Sequence, residues 1–394
     1  MHGRVMFYVQ HLLGIGHLKR ASLIARAMVD AGLDVAVVLG GAEVPGIDFE
    51  GCARILLPPA RAADETFAVL LDEAGRPVDD AWRDHRAARL LFEFDALRPH
   101  LLMLELFPFG RRMFGFELLP LLTTARSLSR PPKLACSLRD ILVAKPDAER
   151  NRQRVTFAKA WFDRVLVHGD PRLIPIEASY PEMGELGDKL VYTGYVAQNA
   201  VPEDADEPTD YPLGEGPIGR GEVIVSAGGG AVGLPLLRAA LEARALSPLA
   251  DRTWRLITGP NLPDADFAAL AWQPPPGCIV ERWRPDLPML LRRCAVSISQ
   301  AGYNTVMDVL QAGTPAVLVP FAGGSETEQT RRARVLAERG RAVCLDAREL
   351  SAKILADAAG QALTLAPQSV EIDCNGAAMT ARLAGDLCRG ACET

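Results

Sequence analysis

A histidine follows two glycines near the start of the chain, in the stretch HLLGIGHLKR. An apolar run precedes Gly14 and Gly16, and a helical pattern begins at about His17. Glycines let the backbone approach a ligand closely, and the N–H groups at a helix start form a modest anion site. A neutral imidazole there could take a proton from a reacting hydroxyl. The stretch therefore predicts His17 as a general base. His11 on the same loop is the rival, and a helix-capping histidine is the structural alternative.

The histidine needs a carboxylate partner, and two candidates end apolar runs in the first half of the chain. All six histidines lie within the first 168 residues, so a histidine base must come from that half. Glu105 closes the run LLMLE, and Asp140 follows in CSLRDILV. A carboxylate beside a base histidine orients the ring and stabilises the imidazolium. We expect Glu105 in this role, with Asp140 as the second candidate; either could also be an ordinary helix or turn partner.

The first glycine turn departs from known nucleotide loops. Lys19 stands where the dinucleotide pattern GxGxxG has its third glycine, and no GK[ST] pair follows. A nicotinamide or ATP site is therefore not supported. A second glycine turn lies in VIVSAGGGAVG, where a substrate phosphate could bind the amides of Gly228, Gly229 and Gly230, with Ser226 on the same loop. The alternative is a plain tight turn between a strand and a helix.

The segment SISQAGYNTVMDVLQAGTPAVLVPF is the most informative in the chain. It has the pattern strand, glycine turn, helix and second strand, with the turn at Gly302. Amides around Tyr303, Asn304 and Thr305 would face an anion, and Asp308 could accept hydrogen bonds from ribose hydroxyls. The alternative is that Thr305 and Asp308 form a capping box that only satisfies the helix start.

Composition limits the class of protein. A chain of 394 residues suits two domains, and its net charge of −6 provides no overall basic field, so nucleic acid is not expected as a partner. An acidic substrate would need a local anion site. The eight cysteines include no CxxC pair, which favours a reducing, cytoplasmic setting.

Neither a metal nor a membrane span is predicted. Two Asp-x-Asp pairs, Asp204 with Asp206 and Asp264 with Asp266, lie in an acidic linker and at a helix start, where solvated surface is expected. We therefore expect no metal and no cofactor. No uncharged apolar run is long enough to cross a bilayer. The stretch 113–125 is the most apolar, and we expect a helix facing the core, with peripheral membrane contact as the alternative.

Short apolar runs alternate with helical patterns and predict strands covered on both faces in parallel sheets. The linker 197–221, rich in Pro, Gly and acidic residues, separates two series of such strands. The fold class is therefore α/β, with two doubly wound, Rossmann-like domains facing a cleft and sites beyond the carboxyl ends of the strands. The predicted strands are Arg4–Val9, Asp34–Leu39, His100–Glu105, Lys133–Ser137, Arg164–Val167, Glu222–Ser226, Thr253–Ile257, Cys278–Glu281, Ala295–Ser299, Ala316–Pro320 and Ala342–Leu345.

The chain resembles a known family. SQAGYNTVMDVLQAGTPAVLVPF followed by ETEQTRRARVLAERG resembles the donor-binding half of GT-B glycosyltransferases, and most of all the peptidoglycan N-acetylglucosaminyltransferase-like group, family 28. GIGHLKRASLIARAM is similar to the glycine-rich N-terminal loop of that group. The resemblance implies an acceptor-side domain at 1–196 and a nucleotide-sugar domain at 222–394, with the last helix able to pack back on the first domain.

The resemblance also implies roles for individual residues. It places the donor diphosphate at Gly302, Tyr303, Asn304 and Thr305, and the ribose at Asp308, where the family has a glutamate. Further positions match as follows: Glu328 and Gln329 the donor sugar, backbone at Trp283 and Arg284 the uracil, Gly194 the first cleft loop, Gly228, Gly229 and Gly230 the second glycine loop, and His17 the base for the acceptor hydroxyl.

The function implied is inverting, metal-independent transfer of a sugar from a nucleoside diphosphate sugar, expected to be a UDP-sugar, to an acceptor hydroxyl. The residues do not specify the acceptor, the donor sugar or the oligomeric state. Two alternatives stay open: a nucleotide-sugar hydrolase or 2-epimerase on the same scaffold, and a non-catalytic nucleotide-sugar-binding protein.

Overall fold

The computed structural model describes residues 3–12, 16–44, 46–63, 69–144, 147–197, 218–228, 232–284, 286–321, 328–365 and 372–393. Gly14, Gly229, Gly230, the aspartates at 204 and 206 and nearly all of the predicted linker lie outside these residues. The strands are β1 (Arg4–Val9), β2 (Asp34–Leu39), β3 (Ala53–Leu56), β4 (Arg61–Ala62), β5 (Leu70–Leu71), β6 (Leu101–Glu105), β7 (Lys133–Arg139), β8 (Arg164–His168), β9 (Leu190–Tyr192), β10 (Val223–Ser226), β11 (Trp254–Ile257), β12 (Cys278–Glu281), β13 (Val296–Ser299), β14 (Ala316–Leu318) and β15 (Val343–Cys344).

Helices connect most of these strands. They are α1 (Gly16–Asp30), α2 (Asp80–Leu97), α3 (Gly115–Ser127), α4 (Ala148–Trp161), α5 (Leu234–Ala243), α6 (Asp264–Ala271), α7 (Leu287–Arg293), α8 (Tyr303–Ala312), α9 (Glu328–Glu338), α10 (Ala352–Ala362) and α11 (Gly376–Glu393).

The chain divides into two compact units, Met1–Ala197 with Ile372–Thr394, and Gln198–Glu371. The sheet of the first unit has seven strands in the order β3-β2-β1-β6-β7-β8-β9, all paired in parallel. The sheet of the second has six parallel strands in the order β12-β11-β10-β13-β14-β15. The strand order reverses between β1 and β6 in the first sheet and between β10 and β13 in the second. In folds of this kind, ligands bind in the crevice at the carboxyl ends of the strands at such a position. The expected α/β fold class with two parallel-sheet domains is confirmed.

The predicted strands are all present, with ends shifted by at most two residues. The apolar runs define them because both faces of each sheet are covered: Val5, Phe7 and Val9 pack on one side of β1, and Met6 and Tyr8 on the other. Strand β3 was missed because it lies at the sheet edge with mostly exposed side chains, so it carries no apolar run.

The C-terminal helix α11 belongs to the first unit and packs along α1. Its buried residues Ala381, Ala384 and Cys388 join the core cluster that includes Ile24 and Met28 of α1. The chain enters α11 beside the end of the first segment, where Val196 and Asn375 form an antiparallel bridge.

Most of the apolar stretch at 113–125 lies in helix α3, which packs against α2 as expected for a core-facing helix. Its single acid, Glu117, is fully buried and pairs with the equally buried Arg86 of α2 at 2.7 Å. Among the described residues, no helix is long and apolar enough to span a membrane.

Candidate functional site

In the first unit, His17 and Glu105 lie in direct hydrogen-bond contact. Helix α1 begins at Gly16, so His17 is in its first turn, and Glu105 is the last residue of β6. Strands β1 and β6 are neighbours paired through Tyr8 and Leu104, and this brings the loop after β1 to the end of β6. The His17 Nδ1 lies 2.8 Å from Glu105 Oε1, and the His17 side chain keeps 16% of its surface exposed.

The charges of this pair follow from burial and from its neighbours. Burial lowers the pKa of His17 to about 4, against the pull of Glu105, and Arg111 and Arg20 lower it further. Burial raises the pKa of Glu105, but His17, Arg20 and Arg111 outweigh burial and bring it to about 2. At neutral pH an imidazole therefore faces a carboxylate. A carboxylate only accepts, so Nδ1 must carry the proton and Nε2 keeps a lone pair.

Two arginines complete this cluster, and neither is among the predicted catalytic or donor-binding residues, although Arg111 lies in the stretch 105–122 that was expected to help shape the acceptor site. The Arg20 guanidinium donates to Glu105 Oε1 and is buried, three residues after His17 on α1. The i, i+3 spacing on one helix was a signal that could have found it. Arg111 donates from Nε to the backbone oxygen of Gln10 at 2.7 Å, at the end of β1. The φ of Arg111 is 58°, which is unusual for a non-glycine residue, and no pattern in the local sequence predicts this backbone conformation.

The rival candidates occupy different places. His11 is buried, its Nδ1 finds no hydrogen-bond partner among the described residues, and its ring packs against Gly41. Burial lowers the pKa of His11, and Arg111 adds to this effect. Asp140 is also fully buried, after the end of β7. The histidine that contacts the carboxylate of Glu105 is His17.

A buried network fixes the backbone that leads into the histidine loop. Arg86 donates to both oxygens of Glu117 and to Gln10 Oε1 at 2.6 Å. Gln10 in turn donates from Nε2 to the backbone oxygens of His11 and Ala60. The side chains of Arg86, Glu117 and Gln10 are fully buried, so the end of β1 is held by side chains from two helices.

In the second unit, helix α8 begins at Tyr303, with Gly302 as its N-cap and no side-chain cap hydrogen bond. The capping-box alternative is therefore wrong: Thr305 lies at the third position inside the helix, too late to cap it. Among the described residues, a Cβ built on Gly302 would meet nothing within 4 Å, so this part of the structure leaves space beside the helix start. The N–H groups at such a start favour an anion.

The second glycine loop reaches the same place. Gly228 has a φ of +69°, which side chains rarely adopt, and a Cβ there would lie 3.7 Å from Thr305 Oγ1. Its N–H donates to Ser226 Oγ at 3.3 Å, and Gln300 donates from its N–H to the Ser226 backbone oxygen. Because β10 pairs with β13 through Ser226 and Ser299, the loops after these two strands lie together at one sheet edge. The structure thus brings Ser226, Gly228 and Thr305 together.

The other polar residues predicted for this site lie on two helices, α8 and α9. Asp308 lies on α8 one turn beyond Asn304 and is buried. Glu328 and Gln329 open α9; Glu328 is buried and pairs with Arg332 at 2.6 Å, while Gln329 Oε1 accepts from the Phe321 N–H at 3.1 Å.

The remaining predicted residues lie elsewhere. Trp283 follows β12 and is 57% exposed, and the next residue, Arg284, has its side chain paired with Asp286 and Glu281, so only its backbone is available for a base. Gly194 belongs to the first unit, has a φ of +85°, and packs so closely on Asp373 that a Cβ would lie 2.7 Å from the carboxylate carbon. The described structure therefore explains Gly194 by the close approach of Asp373.

Comparisons with known proteins agree with the resemblance seen in the sequence. Residues 224–372 match the glycosyltransferase family 28 C-terminal domain. A UDP-N-acetylglucosamine--N-acetylmuramyl-(pentapeptide) pyrophosphoryl-undecaprenol N-acetylglucosamine transferase of Parasynechococcus marenigrum is 32% identical over 143 residues, 35% of this chain and 37% of that protein. The matched segments span 37% of that relative and 58% of its counterpart in Rhodospirillum centenum.

Solved structures extend the similarity to the whole chain. The glycotransferase of kitacinnamycin superposes with a TM-score of 0.61 at 16% identity, covering 100% of this chain and 98% of that one. MurG of Acinetobacter baumannii gives a TM-score of 0.59 at 15% identity, covering 98% of this chain and 99% of that one. The chain therefore has the GT-B glycosyltransferase fold. Within that fold, most of the second unit matches the glycosyltransferase family 28 C-terminal domain, in agreement with the resemblance predicted from the sequence.

Proposed function

We propose that the protein is a glycosyltransferase that moves a sugar from a UDP-sugar to an acceptor hydroxyl, with inversion and without a metal ion or other cofactor. The observation that carries the proposal is the contact between His17 and Glu105, together with the pKa of about 4 that keeps the imidazole neutral. The family match of the second unit supports a nucleotide-sugar donor, and the names of the relatives specify UDP-N-acetylglucosamine for those proteins.

His17 would act as the general base. Its Nε2 takes the proton of the acceptor hydroxyl, the hydroxyl oxygen bonds to the anomeric carbon, and the bond to the diphosphate oxygen breaks. A single displacement of this kind inverts the anomeric centre. The imidazolium that forms is stabilised by the Glu105 carboxylate beside Nδ1. A positioned base of this type contributes about 10²–10⁴-fold to the rate.

The low basicity of His17 in the unliganded protein has a direct cause. Burial removes the ring from water, and two arginines repel its proton. A bound anionic group beside Arg20 or Arg111 would offset their charge and raise the basicity of His17 toward neutral pH, where a general base works best. The imidazole of His17 would thus become more basic when the substrate is bound.

The donor diphosphate would bind at the start of α8. This helix lacks a side-chain cap, no described residue fills the space beside Gly302, and Thr305 lies beside Gly228 of the loop after β10. Charge grows on the departing phosphate oxygens in the transition state, so preset amide donors stabilise it; one such donor is worth about 3–4 kcal/mol. Asp308 would accept from the ribose hydroxyls, and Glu328 and Gln329 would contact the sugar.

The remaining features of the proposal concern the setting and the partners. All eight cysteines lie among the described residues and none forms a disulfide, which suits a reducing, cytoplasmic setting. The aspartate at 264 is exposed and pairs with Arg282. This ion pair accounts for Asp264 of the second Asp-x-Asp pair without a metal role. The proposed partners are a nucleotide-sugar donor and an acceptor, and not nucleic acid.

A donor screen followed by a reaction without acceptor tests the proposal. Thermal-shift measurements with UDP-N-acetylglucosamine, UDP-glucose, dTDP-glucose and GDP-mannose should show the largest rise in Tm for a UDP-sugar. Incubation with that donor and an acceptor library should yield a glycoside of inverted configuration, at a rate that does not change with EDTA. Stoichiometric free sugar or an epimer without acceptor would instead establish a hydrolase or 2-epimerase. Tight binding without any turnover would establish a binding protein.

A further inference from the structure

Arg332 is a fully buried arginine whose guanidinium reaches two separate segments of the second unit. Its side chain has 0% relative exposure. One terminal nitrogen donates to Glu328 Oε1 at 2.6 Å, and the other donates to the backbone oxygen of Ala301 at 2.8 Å. The guanidinium carbon also lies 5.7 Å from the centroid of the Tyr303 ring.

These contacts make Arg332 different from an ordinary helix ion pair. Glu328 and Arg332 are four residues apart on α9, and exposed pairs at this spacing contribute little. Here both partners are buried, and Ala301 lies 31 residues away in the chain, directly before the N-cap of α8. The planar guanidinium therefore joins the start of α9 to the start of α8 in a fixed geometry.

Stability alone does not account for a buried pair of this kind. Taking both charges out of water is costly, and apolar residues of the same volume are often as stable or more so. What the pair provides that apolar residues would not is a carboxyl group held at a fixed place by Arg332. In the proposed function, the start of α8 receives the pyrophosphate and Glu328 receives the donor sugar, so Arg332 sets the spacing between these two binding elements.

We propose that Arg332 is a positioning residue for donor selection: it fixes the Glu328 carboxylate relative to the start of α8, and the protein thereby prefers a nucleotide sugar over the sugar-free nucleoside diphosphate. The inference rests on the proposed function and goes beyond it, because it assigns the preference to a residue that itself does not touch the ligand. An ionised carboxylate accepts from two sugar hydroxyls without rearrangement, provided that its position does not vary.

Neighbouring contacts restrict Glu328 in the same way. The next residue, Gln329, is tied through Oε1 to the N–H of Phe321, at the end of the segment that follows β14. Gln329 is therefore held directly by the segment after β14, whereas Glu328 is held by Arg332 of its own helix, which in turn reaches Ala301 before α8. A sugar would meet side chains that are already oriented.

The test compares binding of two ligands by two variants. Arg332→Lys keeps the charge but replaces the planar fork with a single ammonium. The double variant Glu328→Gln with Arg332→Met removes both charges, so that neither is left buried and unpaired. Arg334→Lys, on an exposed arginine of the same helix, is the matched control. Isothermal titration then measures two dissociation constants for each protein. The first is the Kd of whichever nucleotide sugar binds most tightly among UDP-N-acetylglucosamine, UDP-glucose, dTDP-glucose and GDP-mannose. The second is the Kd of the nucleoside diphosphate of that same donor.

We expect both variants to raise the Kd of the nucleotide sugar about tenfold or more, the range for a lost charged hydrogen bond. The Kd of the nucleoside diphosphate should stay within about twofold, since a positioned carboxylate acts only on the sugar. The control should change neither value. Equal weakening of both ligands would show a merely structural role, and no change in either would show no role; both results overturn the inference. If the unmodified protein binds none of the four nucleotide sugars, the proposed function itself is refuted, and the inference that rests on it is refuted as well.

Discussion

The candidate sites of the two units are built from different materials. In the first unit the reactive atoms belong to side chains, with His17, Glu105 and Arg20 in mutual contact. In the second unit the candidate anion site is made mostly of backbone: the uncapped start of α8 and the loop of Gly228, with Arg332 holding the surrounding segments.

The difference follows from the chemistry that each site would perform. Proton transfer depends on one atom in one charge state, so the first unit tunes a single imidazole with surrounding charges. Binding a pyrophosphate depends on several converging dipoles, which backbone amides supply without any change of charge. Side-chain substitutions should therefore affect turnover in the first unit and ligand affinity in the second.

The largest effect should come from His17→Ala. Without the base, kcat should fall by about 10²–10⁴-fold, while the Kd of the donor, measured by titration, should stay unchanged. His11→Ala serves as the comparison, since His11 is buried against Gly41 and does not contact Glu105. A kcat unaffected by His17→Ala, or a larger loss from His11→Ala, would refute the base assignment.

A smaller loss is expected from Glu105→Gln, which keeps the shape of the side chain but removes its charge. The imidazolium formed during proton transfer would lose its counter-charge and the ring its fixed tautomer. We therefore expect kcat to fall, but by less than the about 10²–10⁴-fold that the base itself contributes. Initial rates at saturating donor measure this, with far-UV circular dichroism to verify folding. Activity equal to the unmodified protein would show that the carboxylate does not support the base.

In the second unit, Asp308→Ala should act on affinity. We expect the Kd of the donor to rise about tenfold through loss of charged hydrogen bonds to the ribose, with kcat at saturation little changed. Asp264→Ala, on an exposed aspartate at the start of α6, is the matched control and should change neither value. Unchanged donor affinity for Asp308→Ala, with a lowered Tm, would reduce this buried residue to a structural role.

The smallest effect concerns pH. His17 has a pKa of about 4 in the unliganded protein, so kcat/KM should fall only as the pH drops through about 4, where the base becomes protonated. The Arg111 charge helps to hold this pKa down, and Arg111→Gln should move the acid limb upward by up to about one pH unit. An acid limb near 6.5 in the unmodified protein, or a downward shift in the variant, would contradict the assigned electrostatics.

Much of the fold could be predicted because parallel strands covered on both faces must be apolar along their whole length. That constraint located β1, β6, β10 and β13 and with them the loops that carry the candidate residues. Edge positions escape it: β3 has exposed side chains and left no signal. The capping-box alternative failed because the spacing of Thr305 and Asp308 does not by itself show where the helix begins. In the structure α8 begins at Tyr303, so Thr305 lies inside it.

The sequence by itself determined the two-domain α/β architecture, the glycine turns and the histidine that follows the first of them, since these depend on local pattern and on spacing along one element. Only the tertiary structure decided which carboxylate meets that histidine, how far Arg20 and Arg111 depress its basicity, and that Arg332 connects α9 with α8. Charge interactions and buried hydrogen bonds depend on distances between residues far apart in the chain, and folding sets those distances.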